Sequence, residues 1–307
     1  MGFQRHRLAG RSIGLIFERA SVEARSVFEV AAHDEGAHVT YLGTDHRQPR
    51  RKEAVKDTAR ALGRMFDGIE HRGFLQADVE ILAKYAGVPV WNGRTEDWHP
   101  TQILADILTM RDHARKRLSD VSYCYVGNGK KNTANSLLAA GALLGLDTRI
   151  CAPPQLQPSA RVRDIAHQLA TNSGATIKVT DDITGAVRGA DYLYTDVWLS
   201  TGEPLADRAQ RISLLRPYQV STAMLAATRN PAVKFMHSLP ATRSRGSSWL
   251  GQQICGQDGA QGLEVTDEVF ESPASIVFDQ AENRVHTIKA AMLATMHPPD
   301  GLPGELP

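Results

Sequence analysis

The chain has 307 residues, enough for two ordinary domains, and its 42% hydrophobic and 22% charged residues are typical of a globular protein. Its 35 basic and 34 acidic residues leave a net charge of +1, which excludes a global field that would attract nucleic acid or an anionic membrane surface. No stretch approaches the roughly 20 apolar residues of a membrane span. The three cysteines are an odd number without metal-ligand spacing, so we expect a reducing compartment and therefore a cytoplasmic protein. The near-neutral charge favours a small-molecule partner.

The first half of the chain alternates short apolar runs with longer amphipathic segments. Strands are predicted at 12–17, at 38–42 and within GIEHRG, and helices at 21–35, 52–65 and 77–86. The segment VWNGRTEDW is interpreted as a loop, and a long helix is predicted over 99–118. Such alternation is typical of a parallel sheet covered by helices.

The same alternation restarts in the second half of the chain. Strands are predicted at 122–126, 148–151, 176–179, 191–195 and 234–236, with helical segments between them. The turn GNGKKN is not a dinucleotide fingerprint, because two glycines alone are a weak signal. A surface loop is predicted over 241–262, and a last helix over 281–296 precedes a tail rich in proline and glycine.

The predicted fold class is therefore α/β, with two doubly wound parallel-sheet domains joined by long helices. The expected boundaries are 1–116 for the first domain and 117–280 for the second. Residues 281–307 are expected to form a C-terminal helix that packs back on the first domain, followed by the tail.

Five short motifs combine residue types that bind anions and amino acids. They are FERASVEAR at 17–25, EHRGF at 70–74, HPTQ at 99–102, DVWLSTG at 196–202 and HSLP at 237–240. Transfer of a carbamoyl group needs an anion site, donors that polarise a carbonyl and a clamp for the incoming amine. With longer segments at 51–70 and 264–290, the motifs resemble the ornithine carbamoyltransferase family of the aspartate/ornithine carbamoyltransferase superfamily over nearly the whole chain.

The resemblance implies the carbamoyltransferase fold and a reaction that needs no metal and no organic cofactor, because carbamoyl phosphate arrives activated. It also implies that Arg72, His99 and Gln102 hold and polarise the carbamoyl group, with Arg284 nearby. Ser238 replaces a cysteine of the family that lies near the reacting amine. This serine is either a neutral isostere of cysteine or a sign of a changed amine preference.

A second set of matched residues is implied to bind an ornithine-like amino acid. Asn132 matches an asparagine that contacts the α-carboxylate, and Lys131 replaces its asparagine neighbour. The loop that begins at Asp196 matches one that binds the α-amino and carboxylate groups, although an acidic residue there also suits a strand-end cap. Other members of the set are Ser200, Thr201 in place of a methionine, and His237.

The phosphate motif departs from the family pattern Phe-Glu-Lys-Ser-Ser-Thr-Arg-Thr-Arg. Ser21 and Arg25 are retained, but Glu23 stands where the phosphate-binding arginine belongs, and Ala24 replaces a threonine. The lost attraction and the added repulsion each amount to about 4 kcal/mol at 4 Å with an effective dielectric near 20. Even after a large discount for screening, carbamoyl phosphate binding is predicted to weaken about a hundredfold or more.

The loop that contains Gln48 matches one that reaches the neighbouring subunit's phosphate site in the family's trimer, so the resemblance implies a homotrimer. Arg47, Arg50 and Arg51 in that loop either replace the lost cation, or pair with Glu23, or are simply solvated.

Three functions stay open from the residues alone. The first is an atypical transferase that acts on the side-chain amine of an ornithine-like amino acid with weakened or altered use of carbamoyl phosphate. The second is a paralogous enzyme with a replacement electrophile or another second substrate, whose cationic group Glu23 would hold. The third is a non-catalytic amino-acid-binding protein.

Overall fold

Two parallel sheets, each in its own unit of the chain, form the framework of the protein. The computed structural model describes residues 6–43, 52–199, 205–242 and 262–296. The first unit comprises the residues up to Ala105 together with those from Glu282 onward, and the second is Asp106–Ala281. The chain passes from one unit to the other within two helices. This architecture confirms the predicted α/β class with two doubly wound parallel sheets joined by long helices.

The first unit contains a four-stranded parallel sheet with the strand order β2-β1-β3-β4. Its elements are β1 (Ser12–Phe17), α1 (Val22–Asp34), β2 (His38–Leu42), α2 (Lys52–Leu62), β3 (Gly68–Arg72), α3 (Gln76–Ala86), β4 (Val90–Arg94) and the start of α4 (Pro100–His113). Ile13, Leu15 and Phe17 of β1 are buried against Phe28 of α1, and Ile288 joins the same apolar cluster. Their burial fixes α1 on the sheet, since apolar area removed from water is the main stabilising contribution.

The prediction of a loop at VWNGRTEDW is wrong for its first half, because Val90–Arg94 forms the edge strand β4 beside β3. Asn92 and Gly93 are poor strand formers and hid the strand. The glycine is needed there, since a Cβ at position 93 would lie 1.7 Å from Oε1 of Glu70 on β3.

The second unit contains a five-stranded parallel sheet with the order β7-β6-β5-β8-β9. Its elements after α4 are β5 (Ser122–Val126), α5 (Asn132–Leu144), β6 (Asp147–Cys151), α6 (Ala160–Ser173), β7 (Thr176–Thr180), α7 (Ile183–Val187), β8 (Tyr192–Thr195), α8 (Leu205–Leu215), α9 (Thr222–Ala227), β9 (Lys234–His237), α10 (Asp267–Phe270) and α11 (Val277–Met296). The central strands β5 and β8 are buried along their whole length, as expected for a parallel sheet covered on both faces.

Two helices have boundaries that differ from the predicted ones. Helix α4 ends at His113 rather than at residue 118, and Lys116 beyond it pairs with Asp191 at 2.7 Å. Helix α11 begins at Val277, before the predicted start at residue 281. Of the surface loop predicted over 241–262, residues 243–261 lie outside the described part of the chain.

Helix starts in both units follow from capping side chains. Ser21 accepts a hydrogen bond from the amide of Ala24 at 3.3 Å and begins α1. Ser159 and Ser221 cap α6 and α9 in the same way. These oxygens satisfy amides that have no partner within the helix, which is why serine is favoured there.

Each sheet has one place where the strand order reverses direction. In the first unit it lies between β1 and β3, and in the second between β5 and β8. Ligands of doubly wound sheets bind at the carboxyl ends of the strands at such a point. Candidate ligand-binding segments are therefore those that follow Phe17, Arg72, Val126 and Thr195. None of the described helices is long and apolar enough to cross a membrane.

Candidate active site

Arg72 ends β3 at the strand-order reversal of the first unit. Its carbonyl accepts a hydrogen bond from the amide of Glu18, at 2.8 Å, just beyond β1. The side chain is 8% exposed, and its Nε has no hydrogen-bond partner among the described residues. Burial, followed by the charge of Arg94, lowers the pKa of Arg72 to about 10. The guanidinium therefore stays charged at neutral pH and is available to an anion.

His99 and Gln102 occupy the start of α4, where His99 directly precedes Pro100. They are 7% and 1% exposed, and the amide of Gln102 donates to the carbonyl of His99 at 3.2 Å. Burial, and then the charges of Arg72, Arg284 and Arg94, holds the pKa of His99 well below its ordinary value. His99 is therefore a neutral ring surrounded by cations, suited to hydrogen bonding with a carbonyl rather than to carrying charge.

Glu70 is a fully buried residue of β3, on the same strand as Arg72. Neither of its carboxyl oxygens has a hydrogen-bond partner among the described residues. Burial raises the pKa of Glu70 well above its ordinary value, although the charges of Arg72 and Arg284 oppose the shift. Burial therefore disfavours the charged form of this carboxyl, which weakens its compensation of Arg72 and Arg284.

Two further arginines belong to this cluster, and the motif-based interpretation did not assign them a role. Arg94 is the strand neighbour of Arg72 at the end of β4. Arg19 follows β1, stacks on the ring of Phe74 at 4.0 Å and pairs with Glu96 at 3.5 Å. Burial and the charge of Arg94 lower the pKa of Arg19. For Arg19 a sequence signal was available, since it lies two residues after the predicted first strand; for Arg94 there was none, because β4 was predicted as a loop. We call Arg19, Arg72, Arg94 and Arg284 the arginine cluster.

The substituted phosphate motif forms the cap and first turn of α1. Ser21 is the N-cap residue, and Glu23 lies in the first turn. Glu23 is exposed and forms no hydrogen bond or ion pair with another described residue. Arg25 is directed elsewhere, since it pairs with Glu29 at 2.8 Å and stacks on Tyr41 at 4.1 Å. An exposed carboxylate without a cationic partner among the described residues therefore accompanies the amides at the start of α1.

Asp196 is the centre of the second cluster, at the carboxyl end of β8. Its Oδ1 accepts from the amide of Val197 and from Oγ of Ser238, each at 2.7 Å. Its Oδ2 accepts from Oγ1 of Thr133 at 2.8 Å. Burial alone would raise the pKa of Asp196, but the charge of His237, these hydroxyl groups and Lys131 together lower it. The buried group is thus an ionised carboxylate, which suits a ligand ammonium group.

His237 ends β9 beside this carboxylate and is 1% exposed. The backbone N–H of Leu239 lies 2.9 Å from its Nδ1, and its Nε2 lies 3.5 Å from Oε1 of Glu264. Leu239 has a φ of 45°, unusual for a bulky residue. This tight turn places Ser238 against Asp196.

Asn132 is the first residue of α5, the helix that follows β5. Strand β5 is the neighbour of β8 at the strand-order reversal of this sheet. It is 4% exposed, and Lys131, the N-cap residue before it, is 8% exposed. Thr133, which binds Asp196, is the next residue, so the helix start and the end of β8 meet. Thr133 was not among the predicted site residues, although its place beside Asn132 was visible in the sequence.

The structure thus gathers the predicted residues into two groups. In the first unit, the positive charge of Arg284 lowers the pKa values of both Arg72 and His99. In the second unit, Asp196 accepts a hydrogen bond from Ser238, and His237 and Ser238 both lower its pKa. Gln48, Ser200 and Thr201, as well as Arg47, Arg50 and Arg51, lie outside the described residues. Among those described, no group of three or more His, Cys, Asp or Glu side chains is arranged to hold a metal ion.

Comparison with known proteins places the chain among the group transferases, because each of its two units matches a domain of one transferase family. Residues 2–112 match the family described as "Aspartate/ornithine carbamoyltransferase, carbamoyl-P binding domain". Residues 119–295 match "Aspartate/ornithine carbamoyltransferase, Asp/Orn binding domain". The chain belongs to the aspartate/ornithine carbamoyltransferase family.

Individual relatives are similar over almost the whole chain. An ornithine carbamoyltransferase of Haemophilus influenzae (strain PittGG) is 53% identical over 297 residues, which are 96% of this chain and 89% of that protein. A catabolic ornithine carbamoyltransferase of Pseudomonas putida is 52% identical, with 96% and 88% covered. The solved ornithine carbamoyltransferase of Pyrococcus furiosus has a TM-score of 0.85 at 39% identity, with 95% of this chain and 86% of that chain covered.

Proposed function

We propose that this chain transfers the carbamoyl group of carbamoyl phosphate to the side-chain amine of ornithine, giving citrulline and phosphate. The observation that carries the proposal is the arrangement of Arg72, Arg284 and neutral His99 in a unit that belongs to a carbamoyl phosphate-binding family. The relatives' names support ornithine as the amino acid. We assign carbamoyl phosphate binding to residues 1–116 and amino-acid binding to residues 117–280.

In the proposed reaction the neutral side-chain amine attacks the carbonyl carbon, and the bond from that carbon to the phosphate oxygen breaks. Arg72 and Arg284 stabilise the negative charge that develops on the carbonyl oxygen and on the departing phosphate. His99 and Gln102 orient the carbamoyl group through neutral hydrogen bonds. The ammonium proton of the product is lost to solvent or to phosphate.

The ionised Asp196 is proposed to bind the α-ammonium group of the amino acid, and Asn132 its α-carboxylate. Ser238 donates to Oδ1 of Asp196, so its hydroxyl is fixed by this carboxylate. A serine in this position acts as a neutral hydrogen-bonding group rather than as a nucleophile, because no general base other than Asp196 is in contact with it among the described residues.

The use of carbamoyl phosphate is proposed to be weakened by Glu23. This residue is exposed and has no cation to neutralise it among the described residues, so its carboxylate repels a dianion at the start of α1. The affinity for carbamoyl phosphate is therefore lower than that of the same protein with arginine at this position.

A colorimetric citrulline assay over a range of carbamoyl phosphate concentrations tests this function. We expect the wild-type protein to form citrulline with a high KM for carbamoyl phosphate. The variant that combines Glu23→Arg with Ala24→Thr should lower that KM at least about tenfold, because it replaces a repulsion by a charge-assisted hydrogen bond.

Glu80→Arg provides the matched control, since Glu80 is an exposed carboxylate on α3 and the change in net charge is the same. It should leave the KM unchanged. Thermal stabilisation by ornithine alone, without citrulline formation by either protein, would instead identify an amino-acid-binding protein. Equal KM values for the wild-type protein and the double variant would refute the weakening by Glu23.

We further propose a homotrimer in the cytoplasm. The trimer is supported by the resemblance of the Gln48 loop to a loop that reaches a neighbouring subunit in the family. The location is supported by Cys124 and Cys151, which are both buried free thiols, as is usual in a reducing compartment.

A further inference from the structure

Arg94 is the one member of the arginine cluster whose place depends on an irregularity of the sheet. Along β3 and β4 the register pairs His71 with Asn92 and then Arg72 with Arg94, so Gly93 is skipped. A regular ladder would have placed Gly93 beside Arg72. Bulges of this kind commonly re-aim a side chain next to a binding site, and here the bulge places two arginines side by side at the carboxyl end of the sheet.

Arg94 has no anionic partner of its own among the residues that the structure describes. It is half-buried, and it forms no ion pair or side-chain hydrogen bond with another described residue. Its positive charge instead lowers the pKa values of Arg72, Arg19 and His99, because it disfavours the protonated form of each. Cations gathered in this way repel one another, which is costly unless an anion binds among them.

Among the described residues, no carboxylate pairs with Arg94, and the oxygens of nearby Glu18 interact with His71 Nε2 and with the amide of Phe74. Glu70 on β3 is fully buried, and neither of its carboxyl oxygens has a hydrogen-bond partner among the described residues. Glu96 pairs with Arg19. The site therefore suits an external dianion, and the planar fork of each guanidinium suits phosphate oxygens.

We propose that Arg94 binds the phosphate group of the acyl phosphate substrate and supplies the cation that is missing at position 23. The proposal deepens the proposed function and rests on it for the identity of the electrophile. In this proposal, the phosphate dianion binds a second cation beside Arg72. This cation is Arg94 at the end of β4 and not a residue at the start of α1.

Calorimetric titration with inorganic phosphate tests the proposal without turnover. The wild-type protein, Arg94→Gln, Arg94→Lys and Arg64→Gln are compared. Arg64 is an exposed arginine after α2 without an ion pair among the described residues, so its variant removes the same charge elsewhere in the first unit. Arg94→Gln should weaken phosphate binding about tenfold to a hundredfold. Arg94→Lys should lose less, and Arg64→Gln should bind like the wild type.

Ornithine-dependent thermal stabilisation serves as the folding control, because the second unit is untouched by these variants. Phosphate affinity of Arg94→Gln within about twofold of the wild type would overturn the proposal. So would an equal loss in Arg64→Gln, or a wild-type protein that binds no phosphate.

Steady-state kinetics separates this proposal from the proposed function. If citrulline forms and the KM for carbamoyl phosphate does not rise in Arg94→Gln, the function stands and the role of Arg94 fails. If phosphate affinity depends on Arg94 but no variant forms citrulline, the anion site stands and the reaction fails. A rise in KM with nearly unchanged kcat is the expected outcome, because the phosphate is held in both the ground state and the transition state.

Discussion

Single residues decide the chemistry of each unit, and Asp196 is the clearest case. Its carboxylate is buried, ionised and held by Ser238, Thr133 and the amide of Val197. Asp196→Ala is expected to weaken ornithine binding by at least about a hundredfold, since a buried charge pair is lost. Phosphate binding should be nearly unchanged, because the arginine cluster belongs to the other unit. Calorimetry with each ligand measures both effects.

Asp181→Ala is the matched control for this prediction, because Asp181 is an exposed aspartate of the same unit. It should bind ornithine and phosphate like the wild type. Parallel loss of both ligands in Asp196→Ala would contradict the assignment of the two ligands to different units.

The sequence predicted candidate site residues one motif at a time, without their contacts to residues elsewhere in the fold. Arg72, His99 and Arg284 were each predicted from a local motif. Arg94 was not, because its proximity to Arg72 comes from pairing between β3 and β4 and from the skipped Gly93. The interaction of Thr133 with Asp196 likewise joins residues 63 positions apart. Contacts of this kind depend on tertiary structure, which a local pattern does not contain.

At the scale of elements, strand β4 packs against β3 so closely at Gly93 that the contact can be tested by mutation. A Cβ at position 93 would meet Oε1 of Glu70 at 1.7 Å, and this carboxyl is fully buried. Gly93→Ala is therefore expected to lower the free energy of unfolding by about 1–3 kcal/mol through overpacking. Urea denaturation measures the change.

A double-mutant cycle with Glu70→Ala identifies the cause. If the clash with Glu70 is responsible, Gly93→Ala costs much less in the Glu70→Ala background than in the wild type. Additive effects of the two substitutions would mean that the glycine is required for another reason, such as its backbone conformation in the bulge.

The elements that were predicted well are those with a local signal. Buried strands such as Ser122–Val126 are continuous apolar runs, and α1 and α6 begin at serine caps. The edge strand Val90–Arg94 lacks such a signal, because Asn92 and Gly93 interrupt it. It forms because β3 offers a free edge to pair with, which only the assembled sheet provides.

At the scale of the whole molecule, the proposed trimer makes a prediction about mass. Light scattering is expected to give three times the 33.6 kDa of one chain. Val22 supports an interface near the phosphate motif, since this valine precedes Glu23 and is 83% exposed in the single chain. A neighbouring subunit that reaches this turn would cover it and gain the associated apolar burial.

Val22→Asp should therefore shift the mass toward smaller species, because it would bury an unpaired charge at the interface. Leu143→Asp is the matched control, since Leu143 is 61% exposed on α5 of the second unit, and it should remain trimeric. A wild-type protein that is monomeric at every concentration would rule out the trimer. The trans-acting role considered for Arg47, Arg50 and Arg51 would then fail as well, and Arg94 would be left as the cation that offsets Glu23 within one chain.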